Sequence, residues 1–409
     1  MSRSALLNGR HPGPTIDLPT VRALIRGYRP TGPRSLLILI THVLPTAVAY
    51  IEALGDVFDI SLIGIPYSAN QLAVRRLQST GCPVSVPATL TDIPAHALTE
   101  ARRAAARGQP VVLQEIGGYL ASHARDLALI PQFRGVVEDT SNGQWRYETH
   151  VETLTYPVIS IARSPIKAME DSQIGGAVAF SVERILRHRL YRVLRHSRVL
   201  VIGYGSIGMS CSDAFRQRGA HTVVNDVDPL RVMRASAEGF LVGPLARLLE
   251  EAEIVVGATG HCSIDATVAA RLRPGAVLAS ASSRQVEIDM PNLYRQYRVT
   301  RIAPELEHFI GNSGDFFVLN DGYPVNFRDN SVVGRYLDAV YAELFVCIRE
   351  VAEGRARPGL HASWSQLHRE VARQWCRTQL PDHQPYDEEP PLDRGHRRVG
   401  RVPVATRLP

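Results

Sequence analysis

The chain has 409 residues, of which 45% are hydrophobic and 21% charged, so it is long enough for roughly two or three globular domains. Its net charge of +6 is small and spread along the chain. The basic run at residues 393–401 has no interleaved aromatic residues, so we interpret that run as a solvated tail rather than a nucleic-acid site. The five cysteines are scattered, with no Cys-x-x-Cys motif and no histidine at metal-ligand spacing, which indicates reduced thiols in a cytoplasm and gives no metal site or disulfide framework.

The N-terminal residues lack the apolar core of a signal peptide. The most apolar segment, residues 36–54, is interrupted by His42 and Pro45, so it predicts a buried strand followed by a helix rather than a membrane span. We therefore expect a cytoplasmic protein with a small-molecule substrate and neither a membrane nor a nucleic-acid partner.

Strand and helix patterns alternate in the first 160 residues. Residues 35–40, 58–65 and 110–118 have the composition of buried strands, and residues 46–54 and 98–108 are rich in helix formers. This alternation predicts a parallel α/β sheet.

A second α/β unit begins at residues 197–208. Further strand patterns follow at 221–226, 253–260 and 276–280, and residues 332–354 have apolar residues at helical spacing. The last 25 or so residues are rich in proline and charge and are expected to form a tail, partly disordered.

Three glycines directly after the first strand of this second unit form a Gly-x-Gly-x-x-Gly motif, made of Gly203, Gly205 and Gly208. In such a turn the first glycine allows the tight bend, the second lets the backbone approach a pyrophosphate, and the third lets helix and strand pack closely. Asp226 ends the next strand, where an acid binds a ribose 2′-hydroxyl and disfavours a 2′-phosphate. The motif therefore predicts a Rossmann domain that binds NAD rather than NADP.

These patterns define the predicted architecture. It is an α/β protein in which a Rossmann NAD-binding domain (171–325) is inserted into a second α/β substrate-binding domain (1–170 and 326–358), followed by a C-terminal extension (359–409). The sequence Gly-Ala-Thr-Gly at 257–260 ends a strand at the same sheet edge, so Thr259 could line the nicotinamide pocket, although a simple strand-ending turn explains it too.

Lys167 is the only lysine among 46 lysine and arginine residues. Arginine stays protonated, whereas a desolvated lysine can release its proton and act as a base, so one interpretation is catalytic. The other is that a single lysine arose by chance. Asp171 lies four residues away, one helical turn, so both side chains could face one ligand.

The order of five motifs resembles the adenosylhomocysteinase (S-adenosyl-L-homocysteine hydrolase) family. The resemblance extends over roughly residues 35–350, and the motifs lie at 136–143, 163–172, 203–240, 286–290 and 321–327. It implies a homo-oligomer, dimeric or tetrameric.

The resemblance also implies a reaction. In that family the lysine and aspartate that match Lys167 and Asp171 lie beside a ribose hydroxyl whose carbon is oxidised by NAD. The ketone acidifies the neighbouring C–H, the 5′ substituent is eliminated, water adds, and the hydride returns. Since arginine could not accept the hydroxyl proton, this chemistry would explain the retained lysine.

The resemblance assigns further site residues. His42 matches a catalytic histidine, although a lone histidine is more often structural, and Asp139 stands where a glutamate meets the sugar hydroxyls. The positions implied to contact NAD, besides the three glycines and Asp226, are Thr140, Ser141, Asn142, Ser172, Ser206, Ile207, Arg231, Thr259, Ser282, Ser283 and Asn326.

Several family positions differ in this chain. The aspartate before the paired glycines is Ile116, with Glu115 expected on the opposite strand face, and the histidine before the Val-Glu-Ile-Asp motif is Ser283. Two adenine-contacting residues become roughly Leu44 and Thr46, and Thr46 is retained as a candidate substrate contact. A C-terminal motif is only faintly matched at 380–386, where Leu380 replaces a lysine.

These differences fall on the base pocket and the primary-carbon chemistry, whereas the oxidation residues remain. The first hypothesis is therefore a nucleoside dehydratase resembling those of nucleoside-antibiotic pathways, such as the conversion of angustmycin C to angustmycin A. The second is an authentic adenosylhomocysteinase with a diverged pocket. The third is a non-catalytic NAD-binding regulator, which would not need Lys167 and Asp171.

Overall fold

The structure, a computed structural model, describes residues 16–312 and 314–382. The N-terminal residues before Ile16, the basic run at 393–401 and most of the 380–386 motif lie outside the described residues. No helix within the described ranges is long and apolar enough to cross a membrane.

The first of two sheets is parallel in every described pairing. Its strands, in spatial order, are β15 (Gly359–Ala362), β6 (Pro157–Ser160), β5 (Phe133–Glu138), β4 (Val111–Glu115), β1 (Leu36–Thr41), β2 (Asp59–Gly64) and β3 (Val84–Ser85). Every residue of β1 is buried because helices cover both faces of the sheet, which is why this strand is a continuous apolar run rather than an alternating one. The predicted parallel sheet is confirmed.

The second sheet is the predicted Rossmann sheet with an unpredicted antiparallel edge. Its strands, in spatial order, are β12 (Arg298–Ala303), β13 (Leu306–Gly311), β14 (Gly314–Leu319), β11 (Ala276–Ser280), β10 (Ile254–Gly257), β7 (Arg198–Ile202), β8 (His221–Asn225) and β9 (Leu241–Val242). Strands β12 to β14 pair antiparallel, and all other neighbours pair parallel.

The helices connect and cover the strands. They are α1 (Pro19–Gly27), α2 (Pro45–Leu54), α3 (Gln71–Ser79), α4 (Ile93–Ala105), α5 (Ala124–Ala128), α6 (Ser141–Glu148), α7 (Pro165–Ile185), α8 (Ser206–Gln217), α9 (Pro229–Ala237), α10 (Leu245–Glu251), α11 (Ala266–Ala269), α12 (Met290–Gln296), α13 (Arg335–Ala352) and α14 (Ser365–Gln379).

The chain returns to the first sheet after the second is complete. Helix α13 packs on β4, β5 and α1, β15 joins the edge of the first sheet, and α14 packs on α1 and α13. Strand β15, in the segment predicted as a C-terminal extension, satisfies the edge hydrogen bonds of β6.

Helix α7 links the two units, and its second half crosses α8 very closely. The Gly175 amide donates to Ser210 Oγ at 2.9 Å, and Ser210 Oγ donates to the Ser172 carbonyl at 2.9 Å. A Cβ on Gly175 would lie 2.1 Å from the Ser210 carbonyl carbon, so only glycine permits this contact. Gly176, the next residue, has no atom within 4 Å of an added Cβ.

This contrast gives a stability prediction. Gly175→Ala should lower the free energy of unfolding by about 1–3 kcal/mol, because the methyl group forces α7 and α8 apart. Gly176→Ala should be neutral or stabilising by up to about 1 kcal/mol, because alanine favours a helix. Urea unfolding of both variants measures the difference, and equal midpoints would show that the crossing is not rigid.

Candidate active site

A cavity of about 640 Å³ lies between the carboxyl ends of the two sheets. This is the edge at which open α/β sheets bind ligands. The predicted site residues on its wall are His42, Asp139, Thr140, Ser141, Asn142, Lys167, Asp171, Gly205, Ser206, Ile207, Arg231, Thr259, Ser282, Ser283 and Asn326. The fold thus brings most of the predicted positions from both units to one place.

The glycine turn has the geometry that a dinucleotide requires. Gly203 has a φ of 98°, and a Cβ on Gly208 would lie 1.9 Å from the Gly203 carbonyl oxygen. Helix α8 begins at Ser206, so its unpaired amide groups start at the cavity wall. The turn therefore fits a pyrophosphate.

Asp226 lies behind this turn rather than on the cavity wall. Its Oδ2 accepts from the Tyr204 amide at 2.5 Å and its Oδ1 accepts from the Asp228 amide at 2.8 Å, while Arg231 Nη1 lies 3.6 Å from Oδ2. The carboxylate therefore fixes the backbone of the turn. Its direct contact with a ribose hydroxyl stays a prediction.

The Gly-Ala-Thr-Gly segment is folded around a buried carboxylate that the sequence analysis did not identify. Glu287, in the Val-Glu-Ile-Asp motif, accepts from the Thr259 amide at 2.7 Å, from Thr259 Oγ1 at 2.8 Å and from the Gly260 amide at 2.5 Å. It also accepts from the hydroxyls of Ser263 and Ser282. Five donors on one buried carboxylate hold this loop against the cavity.

Asn326 presents an unused acceptor to the cavity. Its Nδ2 donates to Ser331 Oγ at 3.0 Å, whereas its buried Oδ1 has no hydrogen-bond partner among the described residues. An unpaired buried oxygen is costly, so this atom fits a ligand amide such as that of nicotinamide. Together with the glycine turn, it shows that the residues present suit NAD.

Lys167 is held by carboxylates. Its Nζ donates to Glu170 Oε2 at 2.5 Å and lies 3.1 Å from Asp139 Oδ1, and its side chain is 13% exposed. Asp139 Oδ1 is buried and has no aligned hydrogen-bond donor in the part of the chain that the structure describes, so it can accept from a ligand hydroxyl. Asp171 is close enough to interact electrostatically. We call Lys167, Asp139, Glu170 and Asp171 the lysine cage.

The cage keeps Lys167 protonated, as a cation. Burial lowers its pKa, but Asp139, Glu170 and Asp171 raise it more, so the net pKa lies well above the usual value. The interpretation that desolvation frees the lysine of its proton is therefore wrong for this arrangement. Burial instead raises the pKa of Asp171 to about 6, against the lowering effect of Lys167, so this carboxyl titrates near neutral pH.

His42 lies on the cavity wall as a neutral imidazole. Burial, reinforced by the charge of Lys167, lowers its pKa to about 3. Its Nδ1 lies 2.6 Å from Ser68 Oγ, and its ring centroid is 4.4 Å from that of Phe327. Held in this way, the ring can accept a proton or hydrogen bond but does not carry a charge at neutral pH.

Thr46 and Ser172, which were also predicted as contacts, lie away from the cavity wall. Thr46 is buried in the first turn of α2, which packs into the core of the first unit. Ser172 is exposed on α7, and its hydroxyl donates to the Met169 carbonyl at 2.6 Å. The structure does not place either side chain at the site, because helical rotation and core packing turn them elsewhere.

The residues at positions that differ from the resembled family lie in different places. Ile116 and Ser283 line the cavity, whereas Glu115 is fully buried and accepts from the Leu120 amide at 3.2 Å and from the Tyr147 hydroxyl. The expected opposite orientation of Glu115 is therefore observed.

Some wall residues were missed by the sequence analysis. Glu170 lies three residues after Lys167 on the same helix, and that spacing could have identified it. Trp145 stacks on His261 with ring centroids 5.3 Å apart, and this contact joins the two units across the cleft. In the described ranges, no group of three or more potential ligands is placed to hold a metal ion.

Comparisons with known proteins support an NAD-binding domain. Residues 186–332 match the family model described as S-adenosyl-L-homocysteine hydrolase, NAD binding domain. NAD is therefore the cofactor of this domain.

Curated relatives point to the same family. The adenosylhomocysteinase of Sulfurisphaera tokodaii is 31% identical over 61% of this chain and 61% of its own length, and that of Sulfolobus acidocaldarius is 31% identical over 53% of each. The chain spans about half to three-fifths of the length of the relatives it matches. Among solved structures, a phosphoglycerate oxidoreductase from Vibrio cholerae aligns at 12% identity over 64% of this chain and 79% of its own, with a TM-score of 0.44.

The raised pKa of Asp171 gives a pH prediction. Because the folded protein binds this proton more tightly than the unfolded chain, the stability contributed by the protonated carboxyl is lost as pH rises through about 6. Asp171→Asn should therefore be more stable than the wild type at pH 7.5, by about 1–3 kcal/mol, with the gain vanishing near pH 4.

Thermal unfolding across this pH range measures the effect. The exposed Asp56 supplies the control, because Asp56→Asn makes the same substitution outside the cavity. A constant difference between Asp171→Asn and wild type would contradict the assigned titration.

Proposed function

We propose that the chain is an NAD-dependent, redox-neutral enzyme that acts on the sugar of a nucleoside. The observation that best supports this proposal is that the lysine cage and the dinucleotide turn line the same cavity. When bound, NAD would take a hydride from a sugar carbon and later return it.

The cage residues would manage the sugar hydroxyl. Asp139 Oδ1, which is ion-paired with Lys167 but has no hydrogen-bond donor among the described residues, would accept the hydrogen bond of this hydroxyl. The Lys167 ammonium would stabilise the negative charge that develops on the hydroxyl oxygen. Asp171, with a pKa of about 6, would take the proton and give it back. Glu170 holds Lys167 in place through its 2.5 Å contact.

The elimination step would fall to His42. Its neutral imidazole lies on the same wall and would take the proton from the carbon next to the ketone. Because Asp171 and His42 would exchange the protons, Lys167 would stay positively charged throughout and would stabilise each oxyanion.

Within this reaction class we favour a dehydratase. Ile116 and Ser283 line the cavity where the resembled hydrolases carry an aspartate and a histidine. Without these groups, fewer residues are available to direct water back to the eliminated product. The leaving group would be hydroxide from a primary carbon, as in the conversion of angustmycin C to angustmycin A.

An authentic adenosylhomocysteinase is the second candidate. It is favoured by the matched relatives, which carry that name. A non-catalytic NAD-binding regulator is a third reading, and the cage opposes it, because such a protein gains nothing from burying a lysine among three carboxylates. The implied homo-oligomer remains a prediction, as do the domain boundaries drawn from the sequence.

One incubation separates these functions. The purified protein is given adenosylhomocysteine or adenine nucleosides with a free primary hydroxyl, in isotopically labelled water, and the products are analysed by mass spectrometry. Loss of water from a nucleoside supports the dehydratase, whereas homocysteine release with label in the new hydroxyl supports the hydrolase. No turnover of any compound, with NAD still bound, supports the regulator.

Replacing the lysine tests its role. Lys167→Arg should keep the fold and bound NAD but lower turnover by about 10²–10⁴-fold, because the larger planar guanidinium cannot take the position of Nζ between Glu170 and Asp139. Turnover is measured by mass spectrometry, and NAD is quantified after acid release.

The control is the reverse substitution, arginine to lysine, at an exposed position. Arg187→Lys, at an exposed position after α7, should match the wild type. Near-normal activity in Lys167→Arg would refute the role given to the cage.

A further inference from the structure

A buried carboxylate with no part in the proposed chemistry lies behind the lysine cage. Glu343, in the middle of α13, is fully buried. Ser164 Oγ donates to its Oε2 at 2.7 Å, and Ser363 Oγ donates to its Oε1 at 2.7 Å. Among the described residues its ion-pair partner is His368, whose Nε2 lies 3.3 Å from Oε1. A buried acid without a lysine or arginine partner is costly, so its presence requires a reason.

The hydrogen bonds of Glu343 connect the cavity with the surface. At the inner end, Ser164 lines the cavity and caps α7, and its Oγ accepts from the Lys167 amide at 2.9 Å. At the outer end, Ser363 Oγ lies 2.9 Å from His368 Nε2, and the His368 side chain is 17% exposed. Each link is short enough for proton transfer.

The surroundings of Glu343 allow it to change its protonation state. The ionisable groups that face it are Asp139 and Lys167 of the cage, Cys347 on α13 and His368 on α14. Burial raises its pKa to about 7, although both serine hydroxyls lower it. Burial also lowers the pKa of His368. The pKa of Glu343 thus lies near neutral pH, where the carboxylate can gain and lose a proton.

We propose that Ser164, Glu343, Ser363 and His368 form a proton relay between the cavity and solvent. The inference rests on the proposed function, in which a sugar hydroxyl loses a proton and regains it while the nucleoside fills the cavity and excludes water. A proton from the cavity binds Ser164 Oγ, whose own proton passes to Glu343. Ser363 then accepts the proton from Glu343 and passes its own to His368. Only O–H and N–H bonds change, and the return path is the reverse.

Glu343→Gln tests the relay, because the amide keeps the shape but cannot carry the proton. Turnover should fall tenfold or more with little change in KM, the inflection of the pH profile near 7 should disappear, and the solvent deuterium isotope effect should increase. Glu350→Gln is the control, since Glu350 lies two turns away on the same helix, is also buried, and pairs with Arg349 and Arg355 instead. Its turnover should be unchanged.

His368→Ala tests the outer end by a chemical criterion. Turnover should fall and should be restored by added imidazole, which a purely structural role would not allow. Wild-type turnover and pH profile in either Glu343→Gln or His368→Ala would overturn the relay, as would a loss in His368→Ala that imidazole does not restore.

An infrared titration of the NAD-bound protein tests the relay without a substrate. A protonated-carboxyl band, absent from Glu343→Gln, should appear with a midpoint near pH 7 and should shift in His368→Ala. A band that does not titrate between about pH 5 and 9 overturns the relay. If the band titrates as expected but no nucleoside is converted, the proposed function fails while the connected proton path stands.

Discussion

A buried ammonium is tolerated only where opposite charges surround it, and this requirement organises the centre of the molecule. Lys167 lies among Asp139, Glu170 and Asp171, which come from the end of one strand and the first turns of one helix. Removing water from such a group costs several kcal/mol unless partners compensate. The first sheet, the start of α7 and the cavity wall must therefore keep their relative positions for the charge to stay buried.

The same arrangement gives the ionisable groups of the cavity different protonation states. Surrounding carboxylates keep the lysine cationic, and burial, reinforced by the lysine charge, lowers the pKa of His42. Burial leaves Asp171 as a carboxyl that titrates near neutral pH. A site with one permanent cation, one neutral imidazole and one exchangeable carboxyl suits a reaction that creates and discharges an oxyanion twice.

The features that could be predicted from the sequence are those encoded by local patterns. The glycine turn follows from the spacing of three glycines after an apolar strand, and the joint position of Lys167 and Asp171 follows from one helical turn. The parallel sheet followed from apolar runs alternating with helical stretches. These features depend on residues that are close in the chain, and the structure confirms their arrangement.

The unpredicted features depend on contacts between distant segments. Glu287 organises a loop nearly thirty residues earlier, and Ser164 meets Glu343 across 179 positions, which no local pattern reveals. The antiparallel edge from β12 to β14 was not predicted, and its outermost strand β12 is mostly exposed and polar, unlike the apolar runs that indicate buried strands. Thr46 lies buried in α2 and not on the cavity wall, since a sequence match fixes a position in the chain but not the direction of a side chain packed in a core.

Helix α7 sets a mechanical condition on any motion of the cleft. Its first turns hold Lys167, and its second half is locked to α8, the helix that begins at the dinucleotide turn. The contact between α7 and α8 thus holds Lys167 and the dinucleotide turn in a fixed relation. Opening the cleft would have to separate Trp145 from His261 on the far side, while the spacing between Lys167 and the turn stays constant. Ligands would then enter and leave without any change in the geometry that joins the lysine cage to the dinucleotide turn.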